Sequence, residues 1–482
     1  MLPIVVFSVL LVYFLLLLSI AFLTSQKSDS LSFFNANKNA PWPLVAFGMI
    51  GTSLSGATFI SVPGKVGVSQ FTYFQVVLGY VAGYVVVALV LLPVYYKLNL
   101  ISIYGYLETR FGRITRLTGS TIFLVSRLIG ASLRLFLAAN VLQLYLFDHY
   151  KIPFEIAVLT TIFLIWIYTL KGGIKTIIWT DTLQTLFLIW SLITSIFVIY
   201  KSFDSNFDAI LTAIRTKGYF KTFVFDDFKS ELFFGKQFLG GFFITIAMTG
   251  LDQDLMQKNL TCRTLKDAQK NMFIFSIILV IINLLFLFLG ALLYLYALEN
   301  NIQLPKKTDN LYPTLAFYHL GWVAALCFLL GITASSYASA DSALTSLTTS
   351  FCIDFLKIEQ FPEKSIIKIK NLIHLLFSLL LFVGILLFFY TSDYAVIDAI
   401  LKIATYTYGP LLGLYTFGIF TNYTINESWV PFICFLSPIL TILIENFLPW
   451  LLNNNYKFGY ELLPLNGLLT VLLLYLNSRK LN

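Results

Sequence analysis

Windows of about 20 predominantly apolar residues recur from one end of this 482-residue chain to the other. That length spans the ~30 Å hydrocarbon core of a bilayer as a helix. Within lipid every backbone amide and carbonyl must be satisfied by protein, which leaves helices or a closed barrel. Windows this long are helical. The spans are expected at 2–23, 41–63, 71–96, 115–146, 153–170, 176–200, 235–251, 272–297, 321–353, 368–390, 394–421, 429–447 and 463–478. An all-α, polytopic membrane protein with thirteen helices in a single domain follows. The charged fraction is 12%, about half of the roughly 25% usual in soluble domains.

The first span has neither a basic leader nor a small-residue cleavage site, so it reads as a retained helix. Cys262, Cys327, Cys352 and Cys434 are scattered and suggest neither disulfides nor a metal site. The three histidines form no HExxH or similar grouping, and an enzyme is not expected. The net charge of +8 follows topology rather than nucleic-acid binding. Lys and Arg concentrate in 107–116, 171–175, 257–270, 357–370 and the SRK tail, which places the N-terminus outside and the C-terminus in the cytoplasm. The long 201–234 loop is the exception.

Several polar groups fall inside spans, where each costs about 2.5–3.5 kcal/mol on insertion scales and is usually paired or lines a pathway. They are Arg127, Arg134, Lys402, Asp181 and Asp341. Structural ion pairs or snorkelling to the interface are the plain alternatives. The second span carries GTSLSGATFISVPG, whose glycines and small hydroxyls suit either an unwound helix beside a cavity or a close-packing seam. The seventh span, KQFLGGFFITIAMTG, holds a glycine pair five helices later. Two interrupted helices at matching positions in two five-helix halves point to an inverted repeat with its site at the midplane. In the ninth span Ser335, Ala338, Ser339 and Ser342 follow the i, i+3, i+4, i+7 pattern and form one stripe, with Asp341 at its edge. Hydroxyls bonded back to their own helix explain single serines. They explain this density beside an aspartate poorly, whereas oxygen ligands for a hard cation explain both.

GTSLSGATFISVPG (51–64), YGYLETRFG (104–112), GGIKTIIWTDTLQT (172–185), DQDLMQKNL (252–260), the serine stripe ending in Asp354, and YGPLLGLYTFGIF (408–420) together resemble the sodium:solute symporter family. The resemblance implies a LeuT-like core, with residues 41–200 and 235–421 as the two repeats, 1–23 and 429–482 as peripheral helices, and broken first and sixth core helices. It implies a main Na+ site at Gly51, Leu54, Ser335, Ala338 and Ser339. Alanine at 338 stands where relatives usually have a second serine. A second Na+ site is implied at Asp181, Asp341 and Ser342, with an acid at 341 where relatives can have serine. The implied solute-contacting set is Ser55, Thr58, Gln75, Arg127, Arg134 and Lys402. Direct alignment puts Ala131 at the arginine position of the sialic acid symporters, with Arg134 one turn further and Arg127 one turn before. A sodium-coupled importer of a small organic solute is expected, working as a monomer in the inner membrane of a bacterial-type cell. The alternatives are proton coupling on the same fold, and a transporter-like sensor, which the absence of a signalling module after Asn482 disfavours.

Overall fold

The computed structural model describes residues 3–25, 32–203, 205–391, 396–451 and 456–480. Leu2, Tyr394 and Ala395, which open the first and eleventh expected spans, lie outside them. Helical elements stand at each of the thirteen expected positions. In chain order they are α1 (Pro3–Ser25), α2 (Trp42–Ser53), α3 (Gly56–Ser69), α4 (Tyr73–Val86, continued to Lys97), α5 (Arg113–Leu142), α6 (Phe154–Lys201), α7 (Phe234–Thr245), α8 (Gln253–Asn259), α9 (Leu265–Glu299), α10 (Gly321–Ser350), α11 (Glu363–Thr391), α12 (Val396–Phe420), α13 (Val430–Leu451) and α14 (Leu462–Leu476). Among the described residues, eight helices are long and apolar enough to cross a membrane alone, and nine if the bent α2–α3 pair is one span. The structure also holds short helices in the connections, such as Phe207–Thr216 in the long loop. Among the described residues the departure from all-α is one small antiparallel pair, β1 (Tyr423–Ile425) and β2 (Ser478–Lys480).

Both expected interruptions are present. The chain bends by 58° between α2 and α3, where Leu54 leaves helical geometry at φ −90°, ψ 68° and Ser55 is extended. The other break corrects its expected position. It falls not at the Gly240–Gly241 pair but after a π-turn over Ile246–Gly250, at Leu251–Asp252. The glycine pair serves packing instead. A Cβ on Gly241 would stand 2.1 Å from the Val76 carbonyl oxygen, and one on Gly79 would stand 2.2 Å from that of Phe238, so α4 and α7 touch backbone to backbone. The fifth and sixth expected spans, written together as α6, are two helices that meet at a kink at Gly173. Its φ of +52° favours glycine, and any side chain there would strike the Phe33 carbonyl at 2.4 Å.

The hydroxyl-rich α10 runs through the middle. Every residue from Cys327 to Ser350 is buried, among α5, α6, α2 and α3. Its polarity therefore faces protein, never lipid. The backbone contact between α4 and α7 gives a direct test. Gly241→Val forces two backbones apart, an overpacking that costs about 1–3 kcal/mol. The detergent-solubilised protein should melt several degrees lower, and an unchanged melting temperature would show that the seam is not close-packed.

Candidate ion and solute site

The two breaks face the same central helix but are treated differently. At the α7–α8 break the freed carbonyls are taken by side chains: Tyr95 donates to Gly250 O (2.8 Å) and Tyr104 to Leu251 O (3.0 Å). Asp252 caps α8 by accepting from the Asp254 amide at 2.8 Å. Gln253 fixes the same turn by accepting from Ile103 N and donating to Ile101 O. At the α2–α3 break, among the described residues, no donor takes the carbonyls of Gly51 or Leu54. Those oxygens stay available. Glycine at 51 lets α2 approach its neighbours, since a Cβ there would lie 2.5 Å from Thr185 Oγ1 and 3.5 Å from Ala338 Cβ. Thr52 Oγ1 spans the same gap, 3.4 Å from Ala338 O. Gly51 and Ala338 of the expected main Na+ set are thus neighbours.

The serine stripe divides by partner. Ser335 and Ser346 bond back to their own helix at Ile332 O (3.1 Å) and Ala343 O (2.9 Å), the plain reading for a buried hydroxyl. Ser342 instead donates to Asp254, and Ser339 Oγ accepts from Arg134 Nη1 at 3.4 Å.

Asp181 and Asp341 lie close enough to interact directly, and both are fully buried. The expected second site holds a further charged group: the ammonium of Lys258, itself fully buried, is paired with Asp181 and Thr52. Tyr168 donates to Asp341 Oδ2 at 2.7 Å. One oxygen of each carboxylate, Oδ1, has no hydrogen-bond partner among the described residues. With both carboxylates ionised, the one ammonium leaves the cluster with one net negative charge, an arrangement that suits one monovalent cation.

Arg127 is paired with Asp254 and lies 3.7 Å from Asp252 Oδ2, the oxygen that also accepts from Tyr408. This is the structural ion-pair alternative. Arg134 differs: no carboxylate stands within 4.0 Å of it among the described residues, and its described hydrogen bond is the one to Ser339. Both arginines line a cavity of about 110 Å³ at the α2–α3 break, together with Ser55, Thr58, Thr249 and Asn283. Asn283 Oδ1 is buried there without a hydrogen-bond partner among the described residues.

Two expected solute contacts lie elsewhere. Gln75 donates to Leu232 O (3.0 Å) and accepts from Val224 N (3.1 Å), holding the long loop in place. Lys402 pairs with Glu445 at 3.3 Å, its side chain 64% exposed, beside a separate cavity. Sequence reasoning missed Lys258, Asp252, Asp254 and Tyr408. Lys258 had been counted with the 257–270 loop, yet every residue from Leu251 to Cys262 is buried. The density of polar residues in DQDLMQKNL disguised a buried half-helix as a loop.

The Lys258–Asp181 pair is testable. Removing one partner of a buried pair costs about 3–5 kcal/mol, so Lys258→Met should destabilise strongly. Lys258→Met combined with Asp181→Asn should recover most of that loss in thermal or denaturant melts. A single variant as stable as wild type would mean that the pair does not form.

A family model of the sodium:solute symporter family matches residues 33–428. The chain is 26% identical over 416 residues to the sodium/sialic acid symporter NanT of Aliivibrio fischeri, covering 83% of this chain and 79% of that one. It is 25% identical over 421 residues to the sodium/sialic acid symporter SiaT of Proteus mirabilis, covering 85% and 82%. It is 26% identical over 419 residues to the mouse sodium-coupled monocarboxylate transporter 1, covering 83% and 66%. A solved substrate-bound, outward-open Na+-coupled sialic acid symporter shares the fold with a TM-score of 0.84 over 99% of both chains, at 21% identity. Mhp1, a nucleobase-cation-symport-1 family transporter, shares it at 0.58 over 92% of both, at 14% identity. With broken helices, oxygen-rich stripe and matching family model in one chain, this multi-pass membrane protein belongs to the sodium:solute symporter family.

Proposed function

We propose that this sodium-coupled symporter carries a small organic anion, held by its carboxylate at Arg134. The observation that supports this is the contrast between the two cavity arginines. Arg127 is neutralised by Asp252 and Asp254, whereas Arg134 faces the same cavity with a neutral hydroxyl as its described partner. A guanidinium placed this way suits a carboxylate, which it can bind by two parallel hydrogen bonds. Ser55, Thr58 and Asn283 supply further polar contacts along the cavity wall. The named substrates of the relatives, sialic acid and monocarboxylates, each bear a carboxylate, which supports the same reading. Lys402 and Gln75 are left out of the solute set by their positions.

Sodium binds in the main site through the carbonyls of Gly51, Leu54, Ser335 and Ala338 and the hydroxyl of Ser339. Asp181, Asp341 and Ser342 form a second cation site in which Lys258 already supplies one positive charge. The alternating movement of the helix bundle then carries ion and solute across together. The N-terminus lies outside and the C-terminus in the cytoplasm, the membrane is the cell's inner membrane, and the monomer is the working unit. One net positive charge crossing at 100 mV is worth about 2.3 kcal/mol, which supports roughly 50-fold accumulation at 1.36 kcal/mol per tenfold.

A thermal-shift screen of sugars, sugar acids, sialic acid, amino acids and short carboxylates, with and without sodium, tests the assignment. Carboxylates should stabilise the wild type, and Arg134→Gln should abolish that stabilisation while keeping the shift caused by sodium alone. A neutral sugar as the best ligand, or carboxylate binding that survives Arg134→Gln, would overturn it.

A further inference from the structure

The hydroxyl of Ser339 is claimed twice. It is the one side-chain oxygen in the main sodium set, because Ala338 contributes only its carbonyl. It also accepts from Arg134 Nη1 at 3.4 Å. A hydroxyl oxygen has two lone pairs and can in principle serve both. Doing so would place a guanidinium and a sodium ion on opposite sides of one neutral oxygen, with no carboxylate described within 4.0 Å of the arginine to screen them. Ser339 is almost fully buried, so water screens them little. The guanidinium also has somewhere to go, since Arg134 lines the cavity that holds Ser55 and Thr58.

We infer that Arg134 is the positioning residue that couples ion to solute. Ser339 holds its guanidinium while the main sodium site is empty. Sodium takes the oxygen and turns the guanidinium towards the cavity, where it meets the solute carboxylate. The solute half of this step rests on the carboxylate reading above, whereas the sodium half does not. By linkage the coupling is reciprocal: a bound carboxylate that draws Arg134 away from Ser339 tightens sodium by the same factor. No charge other than the sodium and the solute needs to move, and no proton is transferred. The contact lies between α5 and α10, so the same displacement alters how these two helices are joined.

The test is a sodium titration of the empty, purified carrier at constant ionic strength with choline as the replacement cation, read by intrinsic tryptophan fluorescence. Arg134→Gln removes the competitor and should lower the sodium half-saturation concentration by about fivefold or more, within the usual range of coupling between sites. Arg134→Lys, which keeps the charge but loses the planar fork, should fall between the two. Ser339→Ala should weaken sodium binding, and Arg134→Gln added to it should bring little further change. An unchanged or weaker sodium affinity in Arg134→Gln overturns the inference. Should that variant not fold, Arg134→Met, which keeps the apolar stem, takes its place. Loss of folding in both would make Arg134 a structural support and equally overturn it. With sialic acid as the probe, wild-type sodium affinity should rise and the Arg134→Gln affinity should not. Sialic acid failing to bind the wild type counts against the carboxylate reading alone, and the sodium titration still decides the switch.

Discussion

The structure depends on what happens to backbone polar groups where two membrane helices break. In lipid each freed carbonyl must find a partner in protein or face a cavity. At Leu251–Asp252 the partners are built in, from two tyrosine hydroxyls and an aspartate cap. At Leu54–Ser55 the carbonyls of Gly51 and Leu54 have no donor among the described residues. One break is a sealed joint and the other an open one. In the proposed sodium site, the enclosed, hydroxyl-rich α10 completes the open joint.

Charge is arranged around that joint in two groups. Arg127 with Asp252 and Asp254 closes on itself and ties α5 to the start of α8, with Ser342 and Tyr408 also donating to the two carboxylates. Asp181, Asp341 and Lys258 retain an excess negative charge and two oxygens without a hydrogen-bond partner among the described residues. Buried pairs of this kind add little net stability but are costly to break. They are better suited to holding half-helices in register than to strengthening the fold. Thr52 touches both Asp181 and the α10 backbone, so the two proposed ion sites share a wall.

The helical layout was legible because apolar length is a strong and local signal. The helix breaks were half legible. GTSLSG marked the first correctly, whereas Gly240–Gly241 drew attention away from the real break ten residues later, because glycine serves close packing as readily as unwinding. The stripe at Ser335, Ala338, Ser339 and Ser342 followed from helical periodicity alone. Partners across the fold could not follow from it. Nothing local marks Lys258 as the partner of Asp181, 77 residues away in the chain, and a polar run such as DQDLMQKNL looks like a loop until neighbouring helices enclose it. Lys402 misled for the converse reason: its place in a span concealed Glu445, a partner on another helix.

The central claim is that an open oxygen joint binds sodium and that this binding drives solute movement. Carboxylate uptake into proteoliposomes under imposed gradients tests it most directly. An inward sodium gradient with an inside-negative potential should accumulate solute above its outside concentration. Choline in place of sodium should abolish accumulation, as should an ionophore that collapses the sodium gradient. Equal accumulation in choline driven by a proton gradient would contradict the account.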